Sequence, residues 1–227
     1  PMNITIEDGD SAAGTDDNSV LSTTGPTPTV LFSTNAGSDI ILTNQRITSA
    51  LQNGNVVLQA TQDISLANNV SITANSSNIN SLTLQAGDDV KIFGSIDLVG
   101  GNLILVGGSN ACGVSCSVDN NNSSSALYGR NVYIDSSITT TGSVTLHAAD
   151  NVIITGSNAD IASSSITARA GNAITSTSGS SMVTNGDITL TAYDISLQDT
   201  AETYGTTVPV RSNPDITITG SVITNGG

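Results

Sequence analysis

The amino-acid sequence predicts an all-β chain wound as a right-handed parallel β-helix (solenoid) of about 22 residues per coil, in a single domain with two or three loop excursions. Three observations predict it. Ser, Thr, Asn, Gly, Val and Ile dominate the 227 residues, Trp is absent and aromatic residues make up 3%, a balance that suits strands and tight corners. Within short stretches apolar and polar residues alternate, the period of a half-buried strand. One phrase of this kind also recurs along the chain, and recurrence at a fixed short period is the signature of stacked layers. With only 11% charged residues and many β-branched ones, the composition is not that of a disordered chain.

The phrase reads "NVVLQATQDISL" from Asn55, "SLTLQAGDDVKI" from Ser81, "SVTLHAADNVII" from Ser143, "SITARAGNAITS" from Ser165 and "DITLTAYDISL" from Asp187, with "NLILVGG" from Asn102 matching the first half. The fourth residue of each forms a ladder, Leu58, Leu84, Leu105, Leu146, Ala168 and Leu190, with steps of 26, 21, 41, 22 and 22 residues. The long step resolves into an ordinary step plus an insertion. Val90 follows Leu84 by six residues, whereas Val132, the residue in the same role, follows Leu105 by 27. The interval from Gly107 to Gly129 is therefore an excursion at one corner, carrying "ACGVSC" and the polar run "SVDNNNSSS". A second excursion is expected from Gln198 to Pro214, after which "DITITGSV" from Asp215 repeats the pattern of "DVKIFGSI" from Asp89; a third is expected near Gly9 to Pro28.

Each unit reads as three short strands separated by Gly, Asn, Asp and Ser, the residues that tolerate the backbone angles of tight corners. Alternation points Val144 and Leu146 inward and Thr145 and His147 outward, with Leu82, Leu84, Ile188 and Leu190 stacked on the inward pair. Ala60, Ala86, Ala148 and Ala192 are expected to fill a narrow corner. About eight layers at ~4.8 Å each give a rod on the order of 40 Å long. Its last residues, "SVITNGG", match "SITTTGS" at Ser137, which leads into a further layer; a longer solenoid or end-to-end stacking of copies is the expectation.

Charge excludes several functions. The formal net charge is -14 with five Lys plus Arg, which leaves no basic face for nucleic acid. An anionic membrane surface repels such a chain, and no apolar run approaches the roughly 18 residues of a spanning helix, so no membrane insertion is expected. Pro1–Asp8 is not a basic segment leading into an apolar one and does not read as a signal peptide. The only cysteines, Cys112 and Cys116, read as a disulfide clip in a polar loop of an oxidising compartment; a free pair or half of a metal site is the alternative.

The stretch "GSVTLHAADNVIITGSNADI" resembles the repeats of filamentous-haemagglutinin-type exoproteins, the large adhesins of bacterial two-partner secretion, which share the pattern Gly-x-[Val/Leu]-x-Leu-x-Ala-x-x-[Asp/Asn]-[Val/Ile]-x-[Ile/Leu]. The resemblance covers most of 55–197. It implies a β-helical rod that is secreted or displayed on the outer surface of a Gram-negative cell, with a role in adhesion and virulence. The Asn-Pro-Asn-Gly type motif of that family's secretion domain has no counterpart, "SNPD" at Ser212–Asp215 being the nearest approach, so the resemblance implies a passenger segment.

The same repeats carry ionisable groups at several positions. Asp89, Asp150 and Asp194 recur at one corner, where stacked carboxylates are the raw material of a glycosidase or lyase and also of a turn that caps backbone amides. The cations Arg46, Lys91, Arg130, Arg169 and Arg211 occupy different repeat positions, and no nucleophile elbow, phosphate loop or metal-helix motif is present. His147, the single imidazole, stands where Gln85, Arg169 and Thr191 stand in other copies and reads as a solvated face residue. "EDGD" at Glu7–Asp10 and "TDDN" at Thr15–Asn18 concentrate oxygen ligands of the kind calcium takes, without the spacing of a known loop. Thr83, Thr145, Thr167 and Thr189 align as an outward column; paired Thr columns present a regular face to ice, but the second column here is irregular and the column reads as β-propensity filler.

The expected function is therefore a non-enzymatic extracellular adhesin or surface-filament segment without cofactors. Its stiff coils present polar loops to a host-cell protein, a glycan or other cells, and its other partners are flanking repeats of the same polypeptide or end-to-end copies. The candidate recognition residues are Asn120, Asn121, Asn122 and Tyr128 on the first excursion and Tyr204 on the second, because long loops on a rigid scaffold carry recognition. Asn121 and Asn122 each begin an Asn-x-Ser sequon. The alternatives are a carbohydrate-active β-helix enzyme and a self-assembling fibre subunit.

Overall fold

Alternating aliphatic residues separated by short polar corners fold into three sheets. The computed structural model describes residues 1–9, 17–21, 27–31, 34, 37–74, 80–108, 130–197, 200–203, 210–218 and 222–224. Over these residues the chain is an all-β, parallel, solenoid-like fold with one short helix. The first sheet stacks Thr29–Val30, Val56–Ala60, Leu82–Ala86, Leu103–Gly107, Ser143–Ala148, Ser165–Ala170 and the start of Ile188–Leu197. The second runs through Ile40–Thr43, Ile4–Glu7, Ile64–Leu66, Val90–Ile92, Val132–Ile134, Asn151–Ile154, Ala173–Ser176 and the end of Ile188–Leu197. The third contains Ser71–Ala74, Ser95–Leu98, Ile138–Thr140, Asp160–Ser163, Ser181–Thr184, Thr200–Thr203 and Val222–Thr224.

Register carries the repeat into space. In the first sheet Val30, Leu58, Leu84, Leu105, Leu146, Ala168 and Leu190 are successive partners, which is the ladder read from the sequence with one rung added. Val90, Val132 and Val152 are partners in the second sheet, and Ile96, Ile138 and Ile161 in the third. The step from Leu105 to Leu146 keeps register although the sequence between them is twice as long as elsewhere. Inward residues are fully buried: Leu58, Leu84, Leu105 and Leu146 are all at 0% exposure, each stabilising the stack by about 1.5–3 kcal/mol relative to an exposed side chain. Ala60, Ala86 and Ala148 are buried beside them.

Two features depart from a simple stack. Asn44–Leu51 is an α-helix, where the sequence reading foresaw only strands and corners. Thr43 caps it, its Oγ1 accepting from the Arg46 N–H at 3.2 Å, and Ile47, Ala50 and Leu51 bury one face at the i, i+3, i+4 spacing. Ile4–Glu7 lies between Ile40–Thr43 and Ile64–Leu66, parallel to both, so the spatial order of this sheet does not follow the chain. Farther along, Val210, Arg211 and Ser212 pair with Leu190, Thr191 and Ala192, so the first sheet resumes inside the interval expected as the second excursion. No helix among the described residues is long and apolar enough to cross a membrane.

Candidate functional site

Six second-sheet strands carry an Asp or Asn just before the first inward aliphatic, in "NITI", "DIIL", "DISL", "DVKI", "NVYI" and "NVII". Stacking at ~4.8 Å brings these side chains within hydrogen-bond reach of the next layer. The Asp39 carboxylate accepts from Asn3 Nδ2 at 2.8 Å, and Asn3 Oδ1 accepts from the Asp63 N–H at 3.1 Å. Asp63 Oδ1 accepts from the Asp89 N–H at 3.0 Å, and Asp89 Oδ1 accepts from both the backbone N–H and Nδ2 of Asn131, at 2.9 and 3.1 Å. Asn131 Oδ1 in turn accepts from the N–H and Nδ2 of Asn151, at 3.2 and 2.9 Å. At Ala173 the column lacks a polar side chain, and the neighbouring Asn172 donates to Asn151 Oδ1 at 2.8 Å instead. This Asx ladder joins seven layers along one corner, and Asn131, 4% exposed, is its most enclosed rung.

An asparagine can both donate and accept, so an Asn rung satisfies its neighbours on either side. Asp63 and Asp89 are consecutive carboxylates and cannot do so. Lys91 bridges them, 2.7 Å from Asp63 Oδ2 and 3.3 Å from Asp89 Oδ2. Burial alone lowers the Lys91 pKa, but its bonds to these two carboxylates outweigh that and raise it above the ordinary lysine value. The adjacent Asp88 is pushed upward by burial and then by the charges of Asp63 and Asp89. Tyr133, whose Oη accepts from Asn131 Nδ2 at 3.2 Å, is raised by burial and by Asp89.

The long insertion is rooted at this same corner. Gly108 donates its N–H to the Asp88 carbonyl at 2.8 Å, and Arg130 restarts the described chain with Nη2 3.6 Å from Asp150 Oδ1. A Cβ on Gly107 would strike the Asn131 carbonyl, and one on Gly108, whose φ is +80°, would meet Ala149 and Arg130, so both positions exclude a side chain. The residues that lead into and out of the insertion are thus held by Asp88, Asn131, Ala149 and Asp150.

The candidate disulfide cysteines Cys112 and Cys116 and the candidate recognition residues Asn120, Asn121, Asn122, Tyr128 and Tyr204 lie outside the described residues. Asp89 and Asp194 share the Asx column, reached through Asn131, Asn151 and Ala173. Asp150 does not, correcting its grouping with them: Asn151 takes the rung because its amide both donates and accepts, and Asp150, one residue earlier, faces Arg130. Of the two acidic loops, Asp10, Thr15 and Asp16 fall outside the described residues, while Asp17 Oδ2 accepts from the Ile41 N–H at 3.1 Å. Among the described residues there is no group of three or more His, Cys, Asp or Glu arranged to hold a metal.

The Thr column exists but is interrupted, since Ile104 stands between Thr83 and Thr145. His147 lies on the same outer face, in a groove of about 200 Å³ beside Gln85, Ile104 and Val106; it is half-buried rather than fully solvated, and burial, then Arg169, holds its pKa below the ordinary imidazole value. The ladder itself was missed from sequence, although its signal was there in the Asp or Asn that opens the second-sheet phrases from "NITI" to "NVII". Comparison with protein-family models, with curated proteins and with solved structures finds no match.

Proposed function

We propose that this chain is a non-enzymatic segment of an extracellular adhesin or surface filament of the filamentous-haemagglutinin type, wound as a right-handed β-helix of about 22 residues per coil. In this reading the regular layers are a stiff spacer on the outside of a Gram-negative cell, and the 109–129 segment is presented to a protein or glycan receptor. The observation that supports it is the way the insertion is accommodated. Register runs from Leu84 through Leu105 to Leu146, and from Val90 through Val132 to Val152, across a 21-residue insertion whose flanks are tied to the ladder. A scaffold that keeps its register around a long loop can vary that loop freely.

Deleting 110–128 tests the proposal. The expected result is loss of binding to host cells with the β-sheet circular dichroism and the unfolding midpoint retained; unchanged binding overturns the assignment of recognition to this loop. A carbohydrate-active enzyme is the second reading, favoured by the stacked Asp63 and Asp89 beside Lys91 and Tyr133. Those carboxylates already accept ladder and lysine bonds, which suits them to holding layers rather than to exchanging protons. Incubation with acidic and neutral polysaccharides decides between the two, because chain cleavage establishes the enzyme and ends the adhesin-only account.

A further inference from the structure

The strand Ile4–Glu7 is out of order. Both of its partners come later in the chain: Ile4 pairs with Ile40 on one side and Ile64 on the other, and Thr5 with Ile41 and Ser65. In the first sheet, Thr29–Val30 pairs directly with Val56–Ala60, with no additional strand between them. Ile4–Glu7 thus stacks on Ile64–Leu66 as Thr29–Val30 stacks on Val56–Ala60, yet it precedes both in the chain and is held between two strands that lie beyond the intervening residues 8–39.

The slot is nevertheless fully recognised. Ile4 and Ile6 are at 0% exposure. Met2 donates to the Ser38 carbonyl at 2.8 Å, Ile4 to Asp63 at 2.9 Å, and the Asn3 carbonyl accepts from Ile40 at 2.9 Å. Asn3 also closes the ladder between Asp39 and Asp63. What fits here is an extended strand reading Asn, aliphatic, any residue, aliphatic, which is the phrase "NITI" and also that of "NVYI" and "NVII" in the same sheet.

We propose that Ile4–Glu7 is exchangeable, and that the slot between Ile40–Thr43 and Ile64–Leu66 accepts the same strand from a second copy of this chain. An element that joins its own sheet only after a long connection makes the same contacts whichever copy supplies it, so exchange loses no contact. The connection is partly packed on its own copy, with Leu21 buried and Asp17 bonded to Ile41, and it sets the effective concentration of the chain's own strand. The partner is therefore an identical chain, and the assembly is a strand-swapped pair or series. This inference is independent of the adhesin reading.

Thr5 and Ser65 are register partners at half-exposed positions, so they report on the slot without entering the core. The double variant Thr5→Cys, Ser65→Cys is oxidised when dilute and its 5–65 cross-link mapped by mass spectrometry. The single variants Thr5→Cys and Ser65→Cys, one isotopically heavy and one light, are then unfolded together, refolded as a mixture, oxidised and mapped in the same way. The expected result is an intrachain 5–65 link in the double variant and a heavy-to-light 5–65 link in the mixture, the latter increasing about tenfold for a tenfold rise in concentration below saturation. A link in the double variant with none between chains at any concentration overturns the exchange. Failure of the double variant to link removes the register on which the proposal stands, and overturns it as well.

Discussion

Replacing Asn131 with alanine is the sharpest test of the corner ladder. The change removes the Asn131 Nδ2 bonds to Asp89 and to Tyr133 Oη, and the acceptor for both the N–H and Nδ2 of Asn151. One of these bonds goes to a carboxylate and is worth about 1.5–3 kcal/mol; the others are neutral, at about 0.5–1.5 kcal/mol each. They share atoms and are not additive, and water reaches part of the vacated space, so the expected loss is about 2–4 kcal/mol. Asn172→Ala is the matched control, because it removes a single bond from an exposed residue at the end of the column and is expected to cost about 0.5–1.5 kcal/mol. Urea unfolding followed by far-ultraviolet circular dichroism, with the slope checked for constancy between variants, measures both. If Asn131→Ala costs no more than Asn172→Ala, the ladder does not hold the layers together and the account of the insertion's root fails with it.

Three further predictions concern the core and the pH response. Leu146→Ala, at 0% exposure in the middle of the first-sheet column, is expected to cost about 2–5 kcal/mol in the same urea assay, as cavity formation does elsewhere. Asp88 has a raised pKa in the folded chain, so its contribution to stability is present below its unfolded value near 3.8 and is lost as pH rises through the folded value. Asp88→Asn is therefore expected to be more stable than the parent at pH 7, with the advantage vanishing at pH 3; thermal midpoints at the two pH values check it. His147 has a lowered pKa, so the folded chain resists its protonation and stability falls as pH drops below the unfolded value of 6.5. His147→Gln is expected to remove that part of the decline between pH 7 and 5, and an unchanged pH profile would count against the half-buried placement of the ring.

The corner also explains how a chain with so few cations tolerates its acidity locally. Lys91 and Arg130, two of the five Lys plus Arg, stand beside carboxylates of the second-sheet corner, Lys91 where the ladder places Asp on Asp and Arg130 where the insertion returns. Elsewhere in the column asparagine alternates with aspartate or with itself and needs no counter-ion. The cations that looked scattered along the repeats are, at these two positions, answers to particular neighbours one layer away.

Alternation and recurrence were sufficient to determine the inward residues, the Leu58 to Leu190 ladder and the position of the long insertion, because a layer that cannot bury its apolar face alone repeats the same pattern in the next. The Asx column was legible in principle, since "DVKI", "NVYI" and "NVII" carry it openly, but separating Asn151 from Asp150 required the registered neighbour that uses both halves of the amide. Tertiary structure alone decided the helix at Asn44–Leu51, whose weak local pattern is stabilised by burying Ile47, Ala50 and Leu51, and the insertion of Ile4–Glu7 between two later strands. Sequence order specifies what each strand looks like, whereas the identity of its neighbour depends on which edge is free and in register when the chain folds, and "NITI" carries the same alternation as the later strands of its sheet.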